Sequence, residues 1–269
     1  MTKLRISFVG TGNMAGAIIK GLSQTQKDAV DMCLYDLATE KTAALAAETG
    51  AAVAKDMAEA VEKGQIIVLA VKPQNMAALL ADLAPLVLNA DERKTIVTVA
   101  AGVEIKVYEE ALPGVAVCRV MPNTSAAVLA AISGLMAGKH LTAEDKAHVE
   151  QIFNAIGSSL WIDEKDIHAL IAVSGSGPAY FYYFTEAMAA AGEKLGLPHD
   201  ISEKLARHTA IGAGKMLAEK TESAETLRIQ VTSPGGTTAE AVKVFQAELP
   251  QVVEAAMTAC AKRSEEMAK

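Results

Sequence analysis

Phe8-Val9-Gly10-Thr11-Gly12-Asn13-Met14-Ala15-Gly16 sets the architecture of this chain. The run before it, Leu4–Val9, reads as a strand, and a helical pattern follows from about Asn13 to Ser23. Gly10, Gly12 and Ala15 match the G-x-G-x-x-G/A spacing of a dinucleotide-binding turn. Gly10 permits the tight turn, and Gly12 lets the backbone approach a pyrophosphate. Ala15 and Gly16 allow close packing of helix on strand, and the helix N-terminus faces the anion. Thr11, Asn13 and Met14 complete the turn and join Gly10 and Gly12 as candidate cofactor-binding residues.

Outward from this turn, strands and helices alternate. Met32–Tyr35 reads as a second strand, followed by an Ala-rich helix, Thr39–Glu48. Ala51–Ala54 suits a short third strand. Ile66–Val71 is a continuous apolar run of strand length, as expected where both sheet faces are covered. Thr95–Val99 and Val115–Val120 continue the series. This alternation predicts an α/β fold with a doubly wound, mostly parallel sheet. Beyond about Ile162 the strands stop. Asp166–Val173, Ala179–Gly196, Asp200–Lys220, Thr238–Glu248 and Gln251–Met267 read as helices. The predicted domains are therefore 1–162 and an all-helical 163–269. Several of these helices are apolar nearly all round, which favours an oligomer over an isolated bundle.

Asp36 ends the second strand about 20 residues beyond the glycine turn, where an acidic residue bonds a ribose 2′-hydroxyl and favours NAD. It could equally serve only to end the strand. No arginine follows it, and Lys41 is the only nearby cation, so the choice between NADH and NADPH stays open on sequence.

Composition narrows the rest. The 269 residues are 51% hydrophobic and 21% charged, as in ordinary globular proteins. Lys plus Arg number 25 against 32 Asp plus Glu, a net charge of −7, which argues against a nucleic-acid partner. Neither G-x-x-x-x-G-K-[ST] nor H-E-x-x-H occurs, and the five histidines show no ligand spacing, so no metal site is expected. Cys33, Cys118 and Cys260 lie far apart, in keeping with a reducing cytoplasm. No apolar stretch is long enough to span a membrane.

Four segments remain: Leu69-Ala70-Val71-Lys72-Pro73, Ala100-Ala101-Gly102-Val103, Arg119-Val120-Met121-Pro122-Asn123-Thr124, and Val231-Thr232-Ser233-Pro234-Gly235-Gly236-Thr237-Thr238. The first three close predicted strands at their carboxyl ends, where open α/β sheets bind ligands. The fourth precedes a helix and offers hydroxyls and free N–H groups suited to a carboxylate. With Ser174-Gly175-Ser176-Gly177-Pro178-Ala179-Tyr180, they make the whole chain resemble the pyrroline-5-carboxylate reductases. That resemblance implies a Rossmann-type domain followed by a helical dimerisation domain. It also implies reduction of the cyclic imine 1-pyrroline-5-carboxylate to L-proline by NADPH or NADH, in a homodimer able to assemble further.

By resemblance, Ser233, Gly236 and Thr237 hold the substrate carboxylate, and Thr238 reaches the imine nitrogen. Ala70, Val71, Lys72 and Pro73 line the cofactor, and Ala101 and Gly102 border its nicotinamide end. Three positions depart from the usual pattern. Met57 stands where an asparagine is common, Leu37-Ala38-Thr39 lacks an arginine, and Ile171 replaces a frequent threonine. β-Hydroxyacid dehydrogenases share the general layout but resemble one another in a lysine–asparagine pair in the helical half. This chain has no asparagine after Asn154.

Overall fold

A computed structural model of the chain describes residues 3–268. These form two compact units. One contains the chain up to Gly175 and the segment from Lys262 onward; the other is Ser176–Ala261.

The first unit is built on an eight-stranded sheet of order β3-β2-β1-β4-β5-β6-β7-β8. The strands are β1 (Leu4–Val9), β2 (Val30–Tyr35), β3 (Ala52–Val53), β4 (Ile66–Leu69), β5 (Thr95–Thr98), β6 (Ala116–Met121), β7 (Ala131–Ala137) and β8 (Gly157–Trp161). All neighbours pair in parallel except β6 and β7. The expected doubly wound sheet is therefore present. Its helices are α1 (Asn13–Thr25), α2 (Thr39–Thr49), α3 (Met57–Lys63), α4 (Met76–Leu88), α5 (Ile105–Ala111), α6 (Ala143–Asn154) and α7 (Ile167–Leu170).

The pleat divides each strand between two cores. Along β4, Ile66 and Val68 join a cluster with Ile18, Ile19 and Leu22 of α1 and Phe153 of α6. Ile67 and Leu69 point the other way, into a cluster with Leu80 and Leu83 of α4 and Tyr108 of α5. All four residues of β4 are at most 1% exposed, and each burial is worth about 1.5–3 kcal/mol. This two-sided burial explains the unbroken apolar run.

Register positions the functional edge. Val9 lies opposite both Tyr35 and Leu69, and Leu69 lies opposite Thr98. Asp36, Gly10, Ala70 and Val99 therefore leave the sheet along one edge. β2 lies on one side of β1 and β4 on the other, so Gly10 sits where the strand order reverses, the usual ligand crevice of such sheets.

The sequence reading omitted β7 and β8. It also placed a helix over Asp166–Val173; the α-helical part is shorter, and a π-type turn spans Ile171–Gly175. The second unit holds α8 (Gly177–Lys194), α9 (His199–Glu219), α10 (Ala224–Gln230) and most of α11 (Thr237–Met267). α10 was not anticipated; the Ser223 side chain caps it by accepting the Thr226 N–H at 3.1 Å. The expected break near Pro250 is absent, and α11 runs through it. Proline removes one helical hydrogen bond there, but the bonds on either side persist.

Many large apolar side chains of the second unit are exposed in the single chain, among them Phe181, Tyr183, Val244 and Val252. Among the described residues, no helix is long and apolar enough to cross a membrane.

Candidate active site

The glycine turn is held from both neighbouring strands. The Gly10 N–H donates to the Tyr35 carbonyl at 2.9 Å, and the Ala70 N–H donates to the Val9 carbonyl at 2.9 Å. Gly10 has φ +98°, and a Cβ there would lie 2.8 Å from the Ala70 backbone carbon and oxygen. Only glycine satisfies both constraints without strain. Gly12 is different: it is the N-cap of α1 in an extended conformation, with no side-chain cap. A Cβ at Gly12 would meet nothing within 4 Å. The first N–H groups of α1 therefore have no side-chain cap from Gly12.

Asp36 is tied to this turn. Its Oδ2 accepts the Thr11 N–H at 2.6 Å and the Thr11 hydroxyl at 3.1 Å, and its Oδ1 accepts the Ala38 N–H at 2.9 Å. Partial burial opposes the charge, but these donors outweigh it and hold the carboxyl below its ordinary range. Thr11 Oγ1 also lies 3.0 Å from Thr42 Oγ1, which ties the turn to α2.

A cleft of about 630 Å³ opens beside the turn. Gly10, Gly12, Asp36, Ala70, Val71 and Lys72 all line it. Leu37, Met57, Asn75, Leu79 and Asp82 add walls, of which sequence reasoning had singled out Leu37 and Met57, both as departures. Asn75 lies in the turn directly after Lys72-Pro73, which was the available signal for it. Leu79 and Asp82 lie on α4, and no motif marks them.

Other candidates lie outside that lining. Thr11 and Asn13 line a second depression, which shares Gly12 with the cleft and contains Lys20 and Lys41. Met14 is half-buried against the core. Pro73 opens the 3-10 turn Pro73–Asn75. Ala101 and Gly102 form the turn after β5, where Gly102 has φ +78°. Asn123, at the end of β6, accepts the Ser125 N–H and donates to the Ser174 carbonyl at 3.1 Å.

In the second unit, Ser233, Gly236, Thr237 and Thr238 gather at the N-terminus of α11. Gly235 turns the chain with φ +71°, and the Gly236 N–H donates to the Ser233 carbonyl at 3.0 Å. Ser233, Thr237 and Thr238 are exposed. Three hydroxyls and the free N–H groups of a helix end make a local anion cradle.

The open space over Gly12, the uncapped end of α1 and the adjoining cleft fit a dinucleotide. Among the described residues no group of side chains could hold a metal ion.

Comparison with known proteins assigns the family. A pyrroline-5-carboxylate reductase of Pseudomonas aeruginosa is 41% identical, over 100% of this chain and 98% of its own length. The chain belongs to the pyrroline-5-carboxylate reductase family. Residues 164–267 match the family model described as pyrroline-5-carboxylate reductase dimerisation, and residues 5–102 match one described as NADP oxidoreductase, coenzyme F420-dependent. The solved pyrroline-5-carboxylate reductase of Coxiella burnetii superposes with a TM-score of 0.94 at 32% identity, covering 100% of both chains. The Plasmodium falciparum pyrroline carboxylate reductase, solved with NADP bound, gives 0.81 at 27% identity, again over 100% of both. The reductase fold therefore extends over the whole length of this chain, with the helical half corresponding to the dimerisation part.

Proposed function

We propose that this chain reduces 1-pyrroline-5-carboxylate to L-proline with NADPH or NADH, the last step of proline biosynthesis. The cradle at the N-terminus of α11 carries the substrate assignment. A helix end with three exposed hydroxyls suits a small carboxylate, and the reductase relationship makes that carboxylate the cyclic imine's. When bound, the reduced nicotinamide supplies a hydride to the imine carbon.

The chain's own residues bind and orient. Gly12 and the α1 N-terminus hold the pyrophosphate, with Gly10, Thr11, Asn13 and Met14 shaping the turn. Asp36 takes the adenosine ribose. Ala70, Val71, Lys72 and Pro73 flank the cofactor, and Ala101 and Gly102 border the nicotinamide end. Ser233, Gly236 and Thr237 fix the carboxylate. Thr238 directs its hydroxyl at the imine nitrogen; a threonine is a weak acid, so it positions that nitrogen while the proton comes from solvent. Holding both molecules in reacting geometry is the main catalytic contribution.

Residues 1–162 serve the dinucleotide and 163–269 the substrate and dimerisation. The exposed apolar side chains of α8 and α11 support a homodimer, and dimers can assemble further. The free thiols of Cys33, Cys118 and Cys260 suit the cytoplasm.

The test is turnover of purified protein with 1-pyrroline-5-carboxylate and each reduced nicotinamide in turn, with proline measured directly. Proline formed one-for-one with oxidised nicotinamide is the expected result. No proline from folded protein that binds a reduced nicotinamide overturns the substrate assignment.

A further inference from the structure

We propose that Glu164, held by the buried Arg119, is a positioning residue for hydride transfer: it fixes the turn 100–104, which borders the nicotinamide. The inference rests on the reading of that turn as the nicotinamide border.

A buried polar cluster pins this turn at both ends. Where the chain leaves β5, the Ala100 N–H donates to Thr98 Oγ1 at 3.3 Å, and that oxygen lies 2.7 Å from the Tyr108 hydroxyl of α5. Where the chain enters α5, Glu104 provides no side-chain cap. Glu164 supplies one from far along the sequence: its Oε1 accepts the Ile105 N–H at 2.8 Å. The same oxygen accepts an Arg119 Nη1–H at 2.8 Å. Thr98 and Arg119 stand opposite each other on β5 and β6. Thr98, Tyr108 and Arg119 are all buried.

Stability does not account for Arg119. A buried ion pair gains little over apolar side chains of similar volume. The Arg119 Nε is also buried, with no hydrogen-bond partner among the described residues, and that adds a cost. What Arg119 secures is geometry: it fixes the Glu164 carboxylate, which in turn holds the first N–H of α5 in one place. The strand-end segment headed by Arg119 thereby gains a task at the neighbouring turn.

The segment that carries Glu164 braces the turn a second time. Glu164 begins the 3-10 turn Glu164–Asp166, and His168 follows in α7. His168 Nδ1 lies 2.9 Å from Ser264 Oγ near the end of α11. Three residues on, the Met267 carbonyl oxygen stands 3.6 Å from where a Cβ of Gly102 would be. Residues 164–168 thus hold the turn through α5 and through the last turns of α11.

Hydride transfer needs the reacting atoms in close contact, and a misplacement of about 1 Å costs roughly 10²-fold in rate. The adenosine half of the cofactor is held elsewhere, at Asp36 and the glycine turn. Loosening the turn 100–104 therefore disturbs the nicotinamide half alone.

Calorimetric titration of the full chain with NADH and, separately, with ADP-ribose, which lacks the nicotinamide, tests the proposal. Glu164→Ala should bind NADH about tenfold more weakly and ADP-ribose as the wild type does. In single turnover with 1-pyrroline-5-carboxylate at saturating NADH, its rate constant should fall about 10–100-fold. A loss of folded protein alone lowers the amplitude and leaves that rate constant unchanged. Glu164→Gln keeps an acceptor for the Ile105 N–H and should recover most of the NADH affinity. Tyr108→Phe loosens the other end while keeping the ring, and should show the same selective loss, so a Glu164 variant that fails to fold does not remove the test. Unchanged NADH affinity in folded Glu164→Ala refutes the proposal, as do equal losses for NADH and ADP-ribose or a lower amplitude with an unchanged rate constant. Wild-type protein that binds neither ligand overturns the cofactor reading and the proposal with it. Selective loss of NADH binding in the variants, with no turnover of the imine by the wild type, leaves the positioning of the nicotinamide standing and counts against the proposed reaction.

Discussion

Two glycines two residues apart, each changed to alanine, should fail in different ways. At Gly10, alanine must adopt φ +98°, a region that costs an L-residue about 1–2 kcal/mol. Its Cβ would also lie 2.8 Å from the Ala70 carbon and oxygen, which are backbone atoms of the sheet and cannot rotate away. Overpacking of this kind costs about 1–3 kcal/mol. Gly10→Ala should therefore lose about 2–5 kcal/mol of stability, visible as a fall of roughly 5–15 °C in the thermal midpoint. Gly12 already has an ordinary φ of −66°, and its added Cβ meets nothing within 4 Å. Alanine is a somewhat poorer N-cap than glycine but restricts the unfolded chain, and these effects nearly cancel, leaving a change within about 0.5 kcal/mol. In the proposed cofactor complex the new methyl group stands where the pyrophosphate approaches the backbone. Gly12→Ala should thus melt like the wild type and bind reduced nicotinamide at least about tenfold more weakly. Thermal unfolding followed by circular dichroism, paired with nicotinamide-fluorescence titration, separates the two effects. Normal affinity in Gly12→Ala, or equal destabilisation by both substitutions, would refute the reasoning.

Thr238→Ala should lower kcat/KM for the imine by about 10–100-fold, the value of one hydrogen bond to a charged group, with nicotinamide affinity unchanged; equal losses in both would remove Thr238 from the substrate. Asp145 is buried, which opposes its charge, but Arg93, Thr142 and Thr95 bond it and hold its carboxyl well below the usual range. A depressed folded value adds stability above the unfolded pKa, so urea unfolding should show that contribution lost as pH falls below about 4. Asp145→Asn should be less stable at pH 7 by about 1–3 kcal/mol, because buried Thr95 and half-exposed, solvent-screened Arg93 lose a charged partner, and should have a flatter acid limb. Phe181 is 70% exposed in the single chain; Phe181→Glu should convert a sedimenting dimer to monomer, and an unchanged dimer would place the interface elsewhere.

The sequence shows most clearly the elements whose burial constrains every residue. β4 was legible because both faces are covered, so Ile66 to Leu69 had to be apolar without alternation. β7 was not, because Ala131-Ile132-Ser133-Gly134-Leu135-Met136-Ala137 mixes small residues with weak strand preference. Its strand state comes from pairing with β6 and β8, contacts that local pattern does not encode. β8 likewise contains Gly157-Ser158-Ser159 and depends on parallel pairing with β7. Pro250 misled in the opposite direction. A proline is a strong local stop signal, yet α11 passes through it because only one of many helical bonds is forfeited.

The candidate site divides along the same line. At Gly10, backbone geometry dictates residue type, so spacing alone exposes it; φ and the approach to Ala70 leave no substitute. Asp36 was visible as an acid at a strand end, but its bonds to Thr11 were not. They exist because the β1–β2 register sets Val9 opposite Tyr35, which brings the following turns side by side. Leu79 and Asp82 reach the cleft only through the docking of α4, whose buried face is fixed by Leu80 and Leu83. Their side chains line the cleft because their neighbours Leu80 and Leu83 face the core. The cleft's acidic character thus combines one residue chosen by local rule with another delivered by packing. Read from the sequence alone, Asp36 lacks the Thr11 and Ala38 bonds that hold its carboxylate in place.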